Sequence, residues 1–235
     1  MAIPSPKNVQ IAAVDWLDQR FPFTATVDDA LYQRVPNFAN AFYYCFGGMV
    51  FTLIIFQILT GIFLSFYYVP AAATVASAQG SQPAAWASVQ FIMKDVYMGP
   101  LVRGIHFWGA NLLIVMIVLH MARVFWTGSY RAPRELNWMV GVIMLFIVIA
   151  FSLTGYLLPW DTTSYWASEV TIQLVGLAPF LGDALRNILQ GSPILGGATL
   201  QRFFTLHVFI LPALIVLLMY IHFRMIRRAG ISEPM

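Results

Sequence analysis

Four long stretches of this chain carry no charged side chain, and they restrict its possible folds more than any other feature. No Asp, Glu, Lys or Arg occurs between Arg34 and Lys94, and further uncharged runs cover residues 104–122, 136–160 and 203–223. A helix needs about 20 apolar residues to cross the hydrocarbon core of a bilayer. We therefore expect an all-α membrane protein, a bundle of four transmembrane helices with additional surface helices.

We label the predicted spans A, B, C and D, and they cover residues 43–67, 103–126, 136–158 and 202–225. Residues 1–38 would form a surface arm on one side of the membrane, and residues 159–200 an interfacial connection of short helices on the other. Residues 1–235 would then make up a single domain. The arm contains acidic residues and lacks the apolar core of a secretory signal peptide. Only 10% of the chain is charged, against roughly 25% in soluble domains.

The basic residues are distributed unevenly between the two sides of such a bundle. Nine of the 13 lie in the arm, the B–C connection or the C-terminus: Lys7, Arg20, Arg34, Arg123, Arg131, Arg134, Arg224, Arg227 and Arg228. The positive-inside rule therefore predicts that both termini face the negative (n) side, the cytoplasm of a bacterial inner membrane or its equivalent in a photosynthetic membrane. The A–B loop and the C–D connection would face the positive (p) side. Because topology accounts for the basic residues, the net charge of +3 does not indicate a nucleic-acid partner.

All four histidines fall inside two of the predicted spans. His106 and His120 occupy positions i and i+14 of span B, and His207 and His222 occupy positions i and i+15 of span D. Both separations are close to four helical turns, so each pair shares one helix face, with about 21 Å between its members. Spans B and D run in the same direction, so His106 can meet His207 near the p side and His120 can meet His222 nearer the n side. An isolated intramembrane histidine often serves a helix–helix hydrogen bond, but facing pairs at two levels are the ligand set of two stacked, six-coordinate b haems that transfer electrons.

Paired glycines repeat this spacing in the other two spans. Gly47 and Gly61 occupy positions i and i+14 of span A, and Gly141 and Gly155 have the same relation in span C. A glycine inside a helix costs roughly 1 kcal/mol relative to alanine and therefore needs a reason in packing. Close helix–helix contact would explain any one of them. Two pairs at the histidine spacing favour the close approach of a flat porphyrin.

Three arginines stand at the rims of the predicted bundle, where haem propionates would need cations. Arg103 and Arg202 shortly precede the p-side histidines in the chain, and Arg123 shortly follows His120. The alternative for each is a side chain that extends to the lipid headgroups.

These features resemble cytochrome b of the quinol-oxidising cytochrome bc complexes over residues 28–235. The resemblance rests on the paired histidines and glycines and on the segments RELNWMVGV, TGYLLPWDTTSYWA and HFRMIRRAGISEP. Three details resemble the short, split form, cytochrome b6 of the b6f complexes: the end of the chain after span D, the segment YCFGG, and one more residue between His207 and His222 than the long form has. Phe107 in place of a cation and a long A–B loop favour a bacterial member outside the cyanobacterial line.

The resemblance implies a function as one subunit of a quinol:cytochrome c or plastocyanin-type oxidoreductase that is not active alone. It implies oxidation of quinol at the p side, transfer of electrons to a quinone at the n side, and proton translocation. It also implies a homodimeric complex with a Rieske iron–sulfur protein, a c-type cytochrome subunit and a separate companion subunit of three or four helices. His106 and His207 would ligate the p-side haem, and His120 and His222 the n-side haem.

The same resemblance suggests where the quinones bind. The residues that it assigns to the p-side quinol site are Tyr156, Pro159, Trp160, Asp161 and Trp166. It points less specifically to Asp28, Asp29 and Arg227 for the n-side quinone region. A positive-inside anchor explains Arg227 equally well, and solvation at the surface explains the two aspartates.

Cys45, the only cysteine, shortly precedes Gly47 at the n-side end of span A. By position alone, a buried free cysteine that packs as a small apolar side chain is the simpler interpretation. Proteins of the b6 type attach an additional high-spin haem c at this place through a single thioether, so the resemblance implies that Cys45 carries such a haem.

Two other classes of membrane protein are compatible with part of this pattern. A dihaem anchor of a dehydrogenase or hydrogenase also has four helices and histidines, but it leaves the paired glycines and the PWDTTSYW segment unexplained. A transporter or scaffold without haem would be colourless. An optical spectrum separates that class from the haem proteins.

Overall fold

The computed structural model describes residues 14–16, 18–19, 24, 37–40, 42–77 and 80–232. Contacts divide the chain into two units, Met1–Asn40 and Ala41–Met235. Within the first unit, the backbone and the hydroxyl group of Thr24 donate hydrogen bonds to the carboxylate of Asp18. Most of the predicted n-side arm, with Asp28 and Asp29, lies outside the described residues, so the predictions for these positions remain predictions.

The second unit is mostly helical, and a 3₁₀ turn, Phe42–Cys45, leads into it. In chain order its elements are α1 (Phe46–Ser65), β1 (Thr74–Ser77), β2 (Gly80–Pro83), α2 (Ala84–Lys94), α3 (Gly99–Trp126), α4 (Glu135–Leu157), α5 (Thr162–Gly176), α6 (Gly182–Gln190), α7 (Gly197–Thr205) and α8 (Leu211–Ala229). The π-helical segment Leu206–Ile210 joins α7 to α8. We call it the π segment.

Within the described residues, four helical stretches are long and apolar enough to cross a membrane, and they confirm the predicted fold class. They are Phe42–Ser65, Gly99–Trp126, Glu135–Leu157 and Gly197–Ala229, with mean hydropathies between 1.8 and 2.4. The shortest has 23 residues, which is about 35 Å of helix at 1.5 Å per residue and exceeds the roughly 30 Å of a hydrocarbon core. Spans A to D therefore correspond to α1, α3, α4 and the continuous stretch from α7 to α8.

The spans pack as two pairs around a shared apolar core. The most extensive contacts join α1 to α3 and α4 to α8. Buried side chains from all four spans form one core cluster: Ile54, Leu113, Ile117, Ile147, Val148, Leu211, Ile215 and Met219. Its centre is apolar, so polar side chains inside the bundle are confined to levels above and below it.

Short elements on the predicted p side hold the ends of the spans. The hydroxyl group of Tyr68, just beyond α1, donates a 2.6 Å hydrogen bond to the carbonyl oxygen of Leu158, just beyond α4. Helices α5 and α6 occupy the C–D connection, where short helices are predicted. The antiparallel β1–β2 hairpin in the A–B loop, which pairs Thr74 with Pro83, is not predicted from the sequence.

Candidate functional site

His106 on α3 and His207 in the π segment face each other at one level of the bundle. Their ring centroids are 6.3 Å apart, and the ring planes make an angle of 71°. Two metal–imidazole bonds of about 2 Å, plus about 1 Å from each ring nitrogen to its centroid, would separate opposed ligands of one metal by about 6 Å. The observed separation therefore fits two histidines that would hold one metal ion between them.

His120 on α3 and His222 on α8 form the second pair. They lie close enough for their charged forms to repel each other, and Arg123 is also close to His120. The Nδ1 atom of His222 is buried, as is the unpaired Nε atom of Arg123. A polar atom buried without a partner is expensive in an apolar bundle, so the Nε atom of Arg123 has unused capacity for a polar group.

Each p-side histidine lies directly against one of the paired glycines. A Cβ atom built on Gly61 would stand 3.3 Å from Cε1 of His106. A Cβ atom built on Gly155 would stand only 2.6 Å from Cε1 of His207, closer than real Cβ contacts. Glycine at these places therefore lets an imidazole ring lie against the backbone of the neighbouring helix.

The n-side histidines repeat the arrangement. A Cβ atom on Gly47 would lie 3.1 Å from Cε1 of His120, and one on Gly141 would lie 3.7 Å from Cε1 of His222. All four predicted glycines thus face all four histidines, one to one. The sequence indicates the shared spacing, but it does not reveal which glycine faces which ring.

The π segment explains why the two histidine pairs differ in their spacing along the chain. At about 100° per residue, an i to i+14 interval ends about 40° short of four full turns, whereas an i to i+15 interval ends about 60° beyond them. A π turn accommodates one additional residue within a helix. His207 lies in the π segment, so the longer interval of span D gives the same facing as the shorter interval of span B.

Two threonines that the sequence reasoning missed contact the p-side histidines. Oγ1 of Thr60 lies 2.8 Å from Nδ1 of His106, and Oγ1 of Thr154 lies 3.1 Å from Nδ1 of His207. Each threonine directly precedes the glycine that faces the same histidine. The repeated Thr-Gly dipeptide, once in span A and once in span C, is the signal that could have identified them.

The three rim arginines differ in their surroundings. Arg123 places its guanidinium 3.8 Å from the ring centroid of Tyr44, next to Cys45 in the chain. Arg103 contacts the sulfur atom of Met93 at 3.6 Å. Arg202 donates hydrogen bonds of 3.1 and 2.8 Å to the carbonyl oxygens of Asn187 and Ile188 in the last turn of α6. Its guanidinium therefore caps that helix, and a propionate contact remains a prediction for all three.

Cys45 is exposed at the end of the 3₁₀ turn that leads into α1. It occupies the N-cap position of α1, but its side chain caps no backbone group. The interpretation as a buried apolar side chain therefore does not describe this structure. Gly47, which faces His120, follows closely in the chain, so the exposed thiol lies close to the level of the second histidine pair.

The predicted quinol-site residues surround the turn from α4 to α5. Tyr156 and Trp166 are exposed, 48% and 59% respectively, and are therefore accessible to a lipid-soluble molecule. Pro159 and Trp160 are partly buried, and Trp160 adopts a positive φ of 53°. The carboxylate of Asp161 accepts a 2.7 Å hydrogen bond from the backbone of Ser164 and so caps α5.

Comparisons with known proteins agree with this geometry. The model of the cytochrome b/b6/petB family matches residues 32–230. The menaquinol:cytochrome c reductase cytochrome b subunit of Geobacillus thermodenitrificans is 44% identical over 228 residues, which cover 94% of this chain and 97% of the relative. Cytochrome b6 of Chlamydomonas reinhardtii is 43% identical over 221 residues, with coverages of 94% and 98%.

A solved structure of a hyperthermophilic respiratory Complex III is similar to this fold. The match has a TM-score of 0.79 and 33% sequence identity, and it covers 94% of this chain. This chain spans 56% of that longer chain.

Proposed function

The chain belongs to the cytochrome b/b6 family, and we propose that it is the electron-carrying membrane subunit of a quinol-oxidising reductase complex. The family implies that the chain binds haem b and is integral to a membrane. It also implies other subunits, because the relatives belong to multisubunit quinol oxidoreductases. The observation that carries the proposal is the opposed pair His106 and His207, together with a glycine against the ring of each of the four histidines.

We assign His106 and His207 as axial ligands of a p-side haem b, and His120 and His222 as ligands of an n-side haem b. Haem held by these histidines would supply a one-electron carrier. The histidines hold the two sites at fixed levels, and the glycines let their rings lie within the bundle. The long apolar spans keep water away from both levels.

Optical spectra of variants test this assignment. We expect the wild-type complex to give two b-type signals with different midpoint potentials in reduced-minus-oxidised spectra. His207→Leu should remove the signal of one potential and His222→Leu that of the other, because each substitution removes one ligand of one pair. A wild-type protein without porphyrin absorbance would refute the assignment. Loss of both signals in both variants would show that the two sites are not independent.

We further propose that Cys45 carries a haem c through a single thioether. Its exposed thiol, close in the chain to Gly47, which faces His120, supports this assignment. Haem stain should remain with the 26.4 kDa chain after denaturing electrophoresis, and Cys45→Ala should abolish the stain while both b-type signals persist. Complete release of haem from the denatured wild-type chain would contradict the proposal.

The rim and loop residues receive secondary assignments. We propose Arg103, Arg123 and Arg202 as partners of haem propionates. The proposed contacts of Arg103 and Arg202 require their side chains to leave the partners described above. The unpaired Nε atom of Arg123 makes this residue the best supported of the three.

For the p-side quinol site we propose Tyr156, Pro159, Trp160, Asp161 and Trp166. The exposure of Tyr156 and Trp166 supports access from the membrane.

For the n-side quinone region we propose Asp28, Asp29 and Arg227. Asp28 and Asp29 lie outside the described residues, and the basic C-terminal turn of α8 supports the placement of Arg227. Both termini would face the n side, so electrons would move from quinol on the p side to quinone on the n side, with net proton translocation to the p side.

The proposed partners are a Rieske iron–sulfur protein, a c-type cytochrome subunit, a companion subunit of three or four helices, and a second copy of the chain. Purification by a tag on this chain should recover them together, with quinol:cytochrome reductase activity that disappears when the companion subunit is omitted. A single-subunit preparation with full activity would contradict this composition. A preparation that accepts electrons from a dehydrogenase or hydrogenase instead would support the anchor class.

A further inference from the structure

We propose that Thr60 and Thr154 are positioning residues that fix the tautomer and the orientation of the two p-side histidines and thereby distinguish the p-side haem from the n-side haem. This inference rests on the proposed haem ligation by His106 and His207. It assigns no additional ligand. The two threonines act through the nitrogen of each imidazole that faces away from the iron.

Thr60 connects His106 to the backbone of α1. Its hydroxyl oxygen lies 2.6 Å from the carbonyl oxygen of Phe56, 3.2 Å from that of Gln57 and 2.8 Å from Nδ1 of His106. A carbonyl oxygen can only accept a hydrogen bond, and a hydroxyl group has one proton to donate. The short contact with Phe56 takes that proton, so the oxygen of Thr60 accepts a hydrogen bond from Nδ1–H of His106.

Thr154 makes the same connection in α4. Its hydroxyl oxygen lies 2.8 Å from the carbonyl oxygen of Ala150, 3.2 Å from that of Phe151 and 3.1 Å from Nδ1 of His207. By the same reasoning, Nδ1 of His207 carries the proton. Two different helices thus hold their histidines through the same chain, from imidazole N–H to hydroxyl group to backbone carbonyl.

This chain leaves the Nε2 lone pair of each p-side histidine available for iron. Neutral imidazole carries one proton, and a hydrogen bond at one nitrogen determines which nitrogen can bind metal. Partners of this kind also orient the ring and raise the basicity of the ligand. A more basic ligand favours ferric over ferrous iron, so each threonine should lower the midpoint potential of the p-side haem.

The positions that match Thr60 and Thr154 carry no hydroxyl group at the n-side level. The residues that directly precede Gly47 and Gly141 are Phe46 and Val140, which have no hydroxyl group. His222 instead has a hydrogen-bond partner in the backbone of Asn137. The difference between the two levels therefore comes from one residue position, repeated in two helices.

Valine is the appropriate replacement because it keeps the branched shape of threonine and removes the hydroxyl group. In the purified complex, Thr60→Val and Thr154→Val should each raise the midpoint potential of the p-side haem and alter its low-spin ferric electron paramagnetic resonance signal. Substitution of such partners changes metal affinity by about 10–100-fold. A tenfold change in the preference for ferric over ferrous iron corresponds to about 59 mV in a one-electron couple. The n-side signal should not change.

Matched variants separate positioning from general damage to the helix. Thr52 of α1 donates a 3.0 Å hydrogen bond to the carbonyl oxygen of Gly48, one helical turn earlier, and is exposed. Ser152 of α4 does the same with Val148. Thr52→Val and Ser152→Ala should therefore leave both potentials unchanged. Thr60→Ser and Thr154→Ser, which retain the hydroxyl group, should restore the wild-type p-side signal.

Unchanged p-side signals in both valine variants, with both b haems retained, would overturn the inference and leave the proposed function intact. A wild-type complex without low-spin b haem would instead refute the proposed function. If the valine variants do not assemble, redox-difference infrared spectra of the wild-type complex with ¹⁵N-labelled histidine provide the test. Two histidines with strongly hydrogen-bonded Nδ1–H groups are expected, and four equivalent histidines would overturn the inference.

Discussion

Gly155 makes the tightest of the four glycine–histidine contacts, and Gly155→Ala therefore gives the sharpest test of the packing. The added Cβ atom would lie 2.6 Å from Cε1, 3.1 Å from Nδ1 and 3.2 Å from Nε2 of His207. All three distances are shorter than the 3.4 Å at which ordinary contact begins. The new methyl group therefore meets the whole side of the ring, and a change of rotamer at a flexible tip cannot relieve the contact.

The expected effect of Gly155→Ala on haem binding and stability follows from the 2.6 Å contact with Cε1 of His207. The ring of His207 would have to retreat by about 0.8 Å, the difference between 3.4 and 2.6 Å. Metal–ligand distances tolerate changes of only about 0.2 Å, so ligation should fail before the helix does. Overpacking costs about 1–3 kcal/mol, and replacing glycine by alanine in a helix returns about 1 kcal/mol. The net loss of stability should therefore stay near or below about 2 kcal/mol.

The assay measures haem content and fold separately. Pyridine haemochrome analysis should show the loss of one of the two b haems in Gly155→Ala, and potentiometry should identify it as the p-side haem. Thermal unfolding in detergent should change little. Gly141→Ala, with a contact of 3.7 Å, and Gly48→Ala, with nothing within 4 Å, are the matched controls and should retain both haems. A Gly155→Ala complex with two haems and wild-type potentials would refute the packing argument.

Substitutions at three further positions address other parts of the bundle. Asp161→Ala should destabilise the protein by about 1 kcal/mol through loss of the α5 cap, whereas Asp161→Asn should keep the cap. If the asparagine variant loses quinol oxidation but unfolds at the normal temperature, Asp161 has a role in the quinol site. Normal activity of this variant would contradict that role. Tyr68→Phe should lower the free energy of unfolding by about 1 kcal/mol, because it leaves the carbonyl oxygen of Leu158 without its donor. Burial raises the pKa of Tyr68, so the wild-type chain, unlike the variant, should lose additional stability as the pH rises above the ordinary tyrosine value of 10.0. Identical melting curves of the wild type and the variant from neutral to alkaline pH would disprove both points. Val140→Thr introduces a hydroxyl group just before Gly141, and potentiometry should show a lower n-side potential; an unchanged potential would argue that the residue before the glycine does not control this level.

The spans and the histidine pairs could be predicted because they depend on local sequence. Charge is excluded from a bilayer core, so the uncharged runs mark the helices directly. Helical periodicity then places positions i and i+14, or i and i+15, on one face without tertiary information. The observed ring separation of His106 and His207 agrees with the facing that this periodicity predicts.

Contacts between helices could not be predicted in the same way. The pairing of Gly61 with His106, or of Gly155 with His207, depends on which helices become neighbours. The threonine contacts depend on how each helix is rotated about its axis, because a shift of about 1 Å between donor and acceptor breaks a hydrogen bond. The β1–β2 hairpin escaped prediction because its segment contains Gly, Ser and Ala, which do not favour strands.

Several side chains have structural partners that a sequence motif does not reveal. Asp161 belongs to a segment typical of the quinol site, yet its carboxylate also caps α5. Arg202 stands at the predicted rim, yet it binds the last carbonyl groups of α6. Cys45 could have been buried or exposed by position alone, and its exposure depends on the 3₁₀ turn before α1. A sequence motif indicates which residue types occur at a site. Whether such a side chain binds a ligand or a nearby backbone group depends on the three-dimensional structure.

The π segment has a consequence for how span D can vary in length between related proteins. The short form has one more residue between its two histidines than the long form, and such an insertion in a regular helix would rotate every later residue by about 100°. A wider turn at Leu206–Ile210 absorbs the added residue locally. The rest of the helix, including His222, can then keep its neighbours. Removal of a single residue from this segment should convert it to regular helix and leave the facing of both histidines unchanged, so a change in sequence length need not alter the spacing of the two redox centres.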